Sequence, residues 1–186
     1  MKPVRILGVS GSLRKASYNS ATLRAAAGLV PDGASLEVFD LSPIPVYNDD
    51  VRAAGYPPVV QDFRSKIEAA DAILFVTPEY NYSMSGVLKN AIDWASRPPG
   101  PPLTRKAVGI MGATMGLWGT TRAQYHLRQV CVFLDLWPIN KPEVLIAQAQ
   151  TKFNDKGELT DEATKKLIQE HLVNLVGWAR RMQAQV

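Results

Sequence analysis

The feature that most constrains this chain is an alternation. Five short apolar segments, at residues 4–9, 36–41, 72–77, 106–111 and 142–147, are each followed by a stretch with helical periodicity, at 20–30, 58–70, 86–96, 120–136 and 161–184. The segments VRILGV and AILFVT are too short and too uniformly apolar to show one face to water, which predicts strands buried on both faces. In the helical stretches apolar residues recur at i, i+3, i+4 and i+7: Leu23, Ala26, Ala27 and Val30 in one, Leu127, Val130, Cys131 and Leu134 in another. Strands alternating with amphipathic helices predict a three-layer α/β fold, a five-stranded parallel sheet covered by helices on both faces. Five strands fit the doubly wound order 2-1-3-4-5. Pro31-Asp32-Gly33 ends the first helix, residues 42–57 read as a loop, and the run Pro98 to Pro102 (PPGPP) is a rigid connection that fits neither helix nor ladder.

Composition adds exclusions. The 186 residues fit one domain, 1–186. Hydrophobic residues at 46% and charged residues at 20% exclude a largely disordered chain. A net charge of +4, spread along the chain, is too weak for a nucleic-acid partner. No apolar run approaches the ~18 residues of a membrane-spanning helix, and the N-terminal apolar run is too short for a secretory signal. Cys131 is the single cysteine, so no internal disulfide or cysteine zinc site is expected; a reducing cytoplasm fits. Its surroundings, Val130 to Leu134, predict a buried, inert thiol.

In a doubly wound sheet ligands bind beyond the carboxyl ends of the strands, at the switch in strand order. Three loops leave those ends with unusual composition. The first, SGSLRKASYNS at 10–20, offers Ser10, Ser12, Ser17, Asn19 and Ser20 with Arg14 and Lys15, and leads into a helix N-terminus. Such an end presents free N–H groups and partial positive charge, so it suits a phosphate. Neither G-x-G-x-x-G nor G-x-x-x-x-G-K-[ST] is present, and a cradle of neutral donors suits a monophosphate, FMN being one such ligand. The second loop, PEYNYSMS, brings Pro78, Glu79, Tyr80, Asn81 and Tyr82, whose rings and polar groups can pack on and edge a flat heterocycle. The third, 112–119, holds Thr114 and three glycines that let backbone approach a planar ligand. His126 and His171 lack metal-ligand spacing, and no Ser/His/Asp set or carboxylate pair stands out. No metal is expected.

The segments GSLRKASYNS and PEYNYSMSGVLKNAIDWASRP resemble the two signature stretches of the NADPH-dependent FMN reductase family, and TTRAQYHLRQV and NKPEV are similar to its bacterial chromate/quinone reductase branch. The resemblance runs over nearly the whole chain. It implies a flavodoxin-like fold, non-covalent FMN, and NADPH or NADH as co-substrate. It also implies a small-molecule electron acceptor (quinone, flavin, azo compound or chromate), reduced in ping-pong fashion with the flavin carrying the chemistry. Carried over, Ser10, Ser12, Arg14, Ser17, Asn19 and Ser20 grip the phosphate, while Pro78 to Tyr82 and Thr114 line the ring and ribityl chain. The resemblance further implies a homodimer or homotetramer, with Trp94, Arg122, Tyr125 and Glu143 at subunit contacts. The family's usual proline before Gly86 is Ser85 here, which predicts a looser turn. The competing reading is a flavodoxin-type electron carrier. Such carriers are strongly acidic, and the net charge of +4 counts against it.

Overall fold

The computed structural model describes residues 2–184. Its elements in chain order are β1 (Val4–Ser10), α1 (Tyr18–Ala27), β2 (Ala34–Phe39), α2 (Asp49–Ala54), α3 (Pro58–Ala69), β3 (Ala72–Val76), β4 (Glu79–Tyr80), β5 (Ser83–Met84), α4 (Gly86–Ala95), β6 (Ala107–Ala113), α5 (Thr121–Phe133), β7 (Trp137–Pro138), β8 (Val144–Ile146) and α6 (Glu162–Gln183). The main sheet is parallel and runs β2-β1-β3-β6, with β7 and β8 sharing the last position beside β6. This is the expected order with the fifth position filled twice. β7 pairs Ala107 and Val108, and β8 pairs Met111 to Ala113. The expected fifth strand at 142–147 is therefore shorter. Trp137–Pro138, in the connection between the expected helix at 120–136 and that strand, is a strand of its own.

Strand periodicity sorts the core into two layers. Leu74 and Val76 of β3 join Ile6 and Met111 beneath α1 and α6, against Leu23, Ile168, Leu172 and Leu175. Ile73 and Phe75 point the other way, with Leu7, Val9, Val108 and Ile110, beneath α3, α4 and α5. Both faces are thus covered, and β3 is buried along its whole length.

Several boundaries move for local reasons. α1 begins at Tyr18 because Ser17 caps it, and the helix closes at Gly28, before the proline. The loop expected at 42–57 contains α2, capped by the Asn48 side chain. α5 stops at Phe133, ahead of Asp135 with a positive φ. Arg64 of α3 is buried and holds the exit of α4. Its Nη1 donates to the carbonyls of Ala95 and Arg97 (both 2.9 Å), its Nη2 to Pro99 (2.7 Å), and its carbon lies 4.4 Å from the Tyr56 ring centre. The PPGPP connection is thus pinned from inside.

Candidate functional site

Three loops converge at the carboxyl ends of β1, β3 and β6, and backbone bonds tie them there. Gly11 donates to the Val76 carbonyl (2.8 Å), Thr77 to Met111 (3.0 Å) and Thr114 to Ile146 (2.9 Å). The approach is close enough to exclude side chains. A Cβ on Gly11 would lie 2.6 Å from the Ser85 Oγ, and one on Gly112 would lie 2.0 Å from the Thr120 Oγ1.

At the first loop the residues divide by task. Ser17 is the α1 cap, its Oγ accepting from the N–H groups of Asn19 (3.2 Å) and Ser20 (3.3 Å). Asn19 is a correction to the expected phosphate grip. Its buried amide is spent on Ala113, donating to that carbonyl and accepting from that N–H, both at 2.9 Å. The Ser10 and Ser20 hydroxyls meet at 3.1 Å, and the Ser10 Oγ also accepts from the N–H of Ser12. Arg14 and Lys15 are exposed beside this helix start, and the first turn of α1 carries no acidic residue. Serine hydroxyls and unopposed cations at the positive end of a helix make a set that fits a phosphate monoester.

The second loop is a small hairpin, β4 paired antiparallel with β5, whose tip residues Asn81 and Tyr82 are left-handed at φ 50° and 65°. Asn tolerates that region; Tyr does so less readily, and strain of this kind collects at functional sites. Pro78 is buried at the base, whereas Tyr80, Asn81 and Tyr82 are exposed. The Glu79 side chain is tied into the fold. Its Oε2 accepts from the N–H groups of Arg122 (2.9 Å) and Ala123 (3.2 Å), and its Oε1 takes Arg122 Nη1 at 3.3 Å. The carboxylate therefore closes the N-terminus of α5, where Thr120 is left-handed (φ 66°) and makes no side-chain cap of its own. The turn before Gly86 is the second correction. Ser85 takes φ −66°, the value proline would impose, and its Oγ accepts from Leu88 N–H at 3.2 Å, so the turn is capped rather than loosened.

The third loop is anchored by Thr114, whose carbonyl accepts from Ala149 and whose Oγ1 accepts from Gly116. Beyond it Met115, Leu117 and Trp118 are exposed, Trp118 at 66%. Composition alone had pointed to the glycines, not to this apolar trio. Arg122 was likewise missed as a site residue. Its guanidinium carbon lies 4.0 Å from the Tyr82 ring centre and 5.4 Å from that of Trp118.

The expected subunit-contact residues part company. Trp94 has no exposed surface; it donates from Nε1 to the Pro45 carbonyl at 2.8 Å and packs edge-on to Tyr47, so it cannot touch a partner. Arg122 and Glu143 make ion pairs inside the chain, with Glu79 and Lys141. Tyr125 is exposed on α5, near Val132 and Phe133 at 82% and 89%. His126 Nδ1 lies 3.0 Å from the Ser83 Oγ, a structural contact as expected. Cys131 is buried, and burial pushes its thiol up to about 12, the neighbouring Arg128 opposing only weakly. His171 is buried, with Nδ1 2.8 Å from the Pro142 carbonyl and burial lowering it to about 4. No cluster of metal-ligating side chains occurs among the described residues, and no helix there is long and apolar enough to cross a membrane.

A family model described as NADPH-dependent FMN reductase matches residues 4–151. The chain is 59% identical over 180 residues to an NAD(P)H-dependent FMN reductase of Pseudomonas aeruginosa, covering 97% of each. It is 47% identical to an NADPH:quinone oxidoreductase of Arabidopsis thaliana, covering 98% of this chain and 96% of the relative. Among solved structures, the flavoenzyme NAD(P)H:(acceptor) oxidoreductase FerB from Paracoccus denitrificans superposes with a TM-score of 0.87 at 32% identity, covering 96% of this chain and 98% of that one.

Proposed function

The chain belongs to the NADPH-dependent FMN reductase family, and from that premise we propose that it is an FMN-dependent NAD(P)H oxidoreductase whose acceptors are quinone-class small molecules. The observation that carries the reading is one juxtaposition. A phosphate-fitting helix start and two loops bearing exposed rings meet at the same end of the sheet. Ser10, Ser12, Ser20, Arg14 and the positive end of α1 hold the FMN phosphate. Ser17 and Asn19 build that cradle rather than line it, the one by capping α1, the other by tying α1 to β6. The 78–82 segment and the backbone around Thr114 border the ring. When bound, FMN supplies a ring that accepts a hydride from NAD(P)H and gives two electrons to the acceptor.

The chain's own task is to position both partners. Donor and acceptor use in turn the side of the site bordered by the exposed Tyr80, Tyr82 and Trp118. One domain, 1–186, carries the activity. Free flavins, azo compounds and chromate belong to the same proposal as further acceptors, as does a cytoplasmic location, with which the single cysteine is compatible. A homodimer or homotetramer is part of the reading, with the exposed α5 residues Tyr125, Val132 and Phe133 as its surface.

An absorption spectrum tests this. Purified protein should show an FMN band that bleaches with NADPH under anaerobic conditions and returns when a quinone is added. A protein that takes up no flavin, or whose flavin NAD(P)H does not bleach, overturns the reading. Reduction only through a separate reductase would make it a carrier instead.

A further inference from the structure

Gly177 lies in the interior of α6, and nothing inside the chain asks for a glycine there. Its φ is not positive, and a Cβ on it would have no neighbouring atom within 4 Å. Among the described residues it is the only glycine beyond the first turn of a helix. Glycine weakens a helix relative to alanine, and what it offers in return is close approach to the backbone. Over Gly177 is a cavity of about 480 Å3, between α6 and the chain that leaves β7. That volume is in the range of small-molecule sites, roughly 300–1,000 Å3. β7 pairs with Ala107 and Val108, so the cavity lies toward the other end of β6 from the third loop.

The helix side of the cavity is a flat bed. Val173, Gly177 and Arg181 follow one another at intervals of four, one above the next on a single face, with Trp178 beside them. Val173 is half exposed, and the Trp178 indole is fixed by its Nε1 donating to the Trp137 carbonyl at 3.0 Å. The facing wall has little backbone left to offer. Pro138 has no N–H, the Ile139 N–H donates to Val108 (2.9 Å), and the Ile139 carbonyl takes Arg128 Nη2 at 3.0 Å. The wall therefore does not invite a further strand. The charge is of one sign. No carboxylate lines the cavity, and Arg181 is exposed with no polar partner among the described residues. Lys141 on the wall meets Glu143 at 3.4 Å yet stays 79% exposed, and Arg128 stands behind Asn140 at 3.3 Å.

We infer that this cavity is a binding site separate from the flavin site, and that its ligands are planar aromatic anions, the aryl carboxylates and sulfonates. The ring lies on the backbone at Gly177, where any side chain would hold it off, and meets the Trp178 indole at its edge. The anionic group meets the guanidinium of Arg181, whose planar fork matches a carboxylate or sulfonate. Lys141 adds an ammonium on the opposite wall. A neutral arene keeps the ring contact and loses the charge. An aliphatic anion keeps the charge and loses the fit to a flat bed. A bound ligand bridges α6 to the chain after β7, so it favours the folded state by mass action.

The test titrates the full chain with the fluorescent aryl sulfonate anilinonaphthalene sulfonate, in wild type, Gly177→Ala, Gly177→Leu and Arg181→Gln. Wild type is expected to bind it, Gly177→Leu to bind at least tenfold more weakly, and Arg181→Gln several-fold more weakly. No binding by wild type overturns the inference, as do affinities of both variants within twofold of wild type. Gly177→Ala decides if Gly177→Leu fails to fold. It should raise the urea midpoint, because alanine favours the helix, while weakening the probe; a raised midpoint with unchanged probe affinity overturns the inference. Naphthoate should displace the probe from wild type at concentrations at least tenfold below those of neutral naphthamide, and this preference should shrink in Arg181→Gln. Equal displacement overturns the inference. Solution mass is measured beside these. A Gly177→Leu variant that changes oligomeric state would make the glycine a subunit contact and overturn the ligand site.

Discussion

Asn19 and Ala113 hold each other through two hydrogen bonds, the amide donating to the carbonyl and accepting from the N–H, both at 2.9 Å. One residue opens α1 and the other ends β6, so a side chain does here what a strand would do in a ladder. The pair joins the first loop to the third and sets the spacing between a phosphate cradle and a ring-binding edge.

Replacing Asn19 with Ala leaves a buried N–H and a buried carbonyl without partners. The expected cost is about 2–4 kcal/mol, two unsatisfied backbone groups at roughly 1–3 kcal/mol each with partial relief from water. Urea unfolding of the flavin-free protein measures it, and flavin retention should weaken in parallel. A loss below about 1 kcal/mol would show that the bonds are readily replaced.

Arg64→Lys should destabilise by roughly 2–3 kcal/mol, because an ammonium cannot satisfy carbonyls spread from Ala95 to Pro99 with one rigid fork. The damage is local. Limited proteolysis should cut the variant near 97–101 while wild type resists, and unchanged digestion would count against the pinning role.

His171 ties stability to pH. The folded chain keeps it neutral down to about 4, against an ordinary value of 6.5. Between those values the unfolded chain binds a proton that the folded chain refuses. Stability is therefore full above about pH 7 and declines toward pH 4, by up to about 3 kcal/mol from this group. His171→Leu removes the titration. It should be less stable at neutral pH, where the Pro142 carbonyl loses its partner, yet show a shallower slope of urea midpoint against pH. Identical slopes would place the acid sensitivity elsewhere.

Cys131, with its thiol near 12, holds about one part in ten thousand as thiolate at pH 8. A disulfide reagent should leave the native protein unlabelled over minutes and label one thiol at once after unfolding. Rapid native labelling would refute the burial argument.

What was legible in the sequence was local. The runs at 4–9 and 72–77 are strands because apolar, β-branched residues crowd there, and α6 is a helix because Ile168, Leu172, Leu175, Val176 and Ala179 recur on one face. The order of the strands followed from the alternation, and the placing of the three loops followed from the order. What was not legible depends on residues far apart in the chain. Glu79 caps a helix that starts 42 residues later, its partners Arg122 and Ala123 lying 43 and 44 positions on. Trp94 looked like a contact surface until Pro45, 49 residues upstream, took its indole N–H. The split of the fifth strand is set by what β6 offers at each end, which no window of residues encodes.

That split has a consequence for how the molecule behaves in crowded solution. A long flat edge strand is a template on which another chain can polymerise. Here the last position of the sheet offers only two fragments, of two and three residues. Pro138 has no N–H to donate, and the Val144 carbonyl is already taken by the Gln124 side chain at 2.9 Å. This edge is short and broken, so it offers little unbroken backbone on which another chain could add.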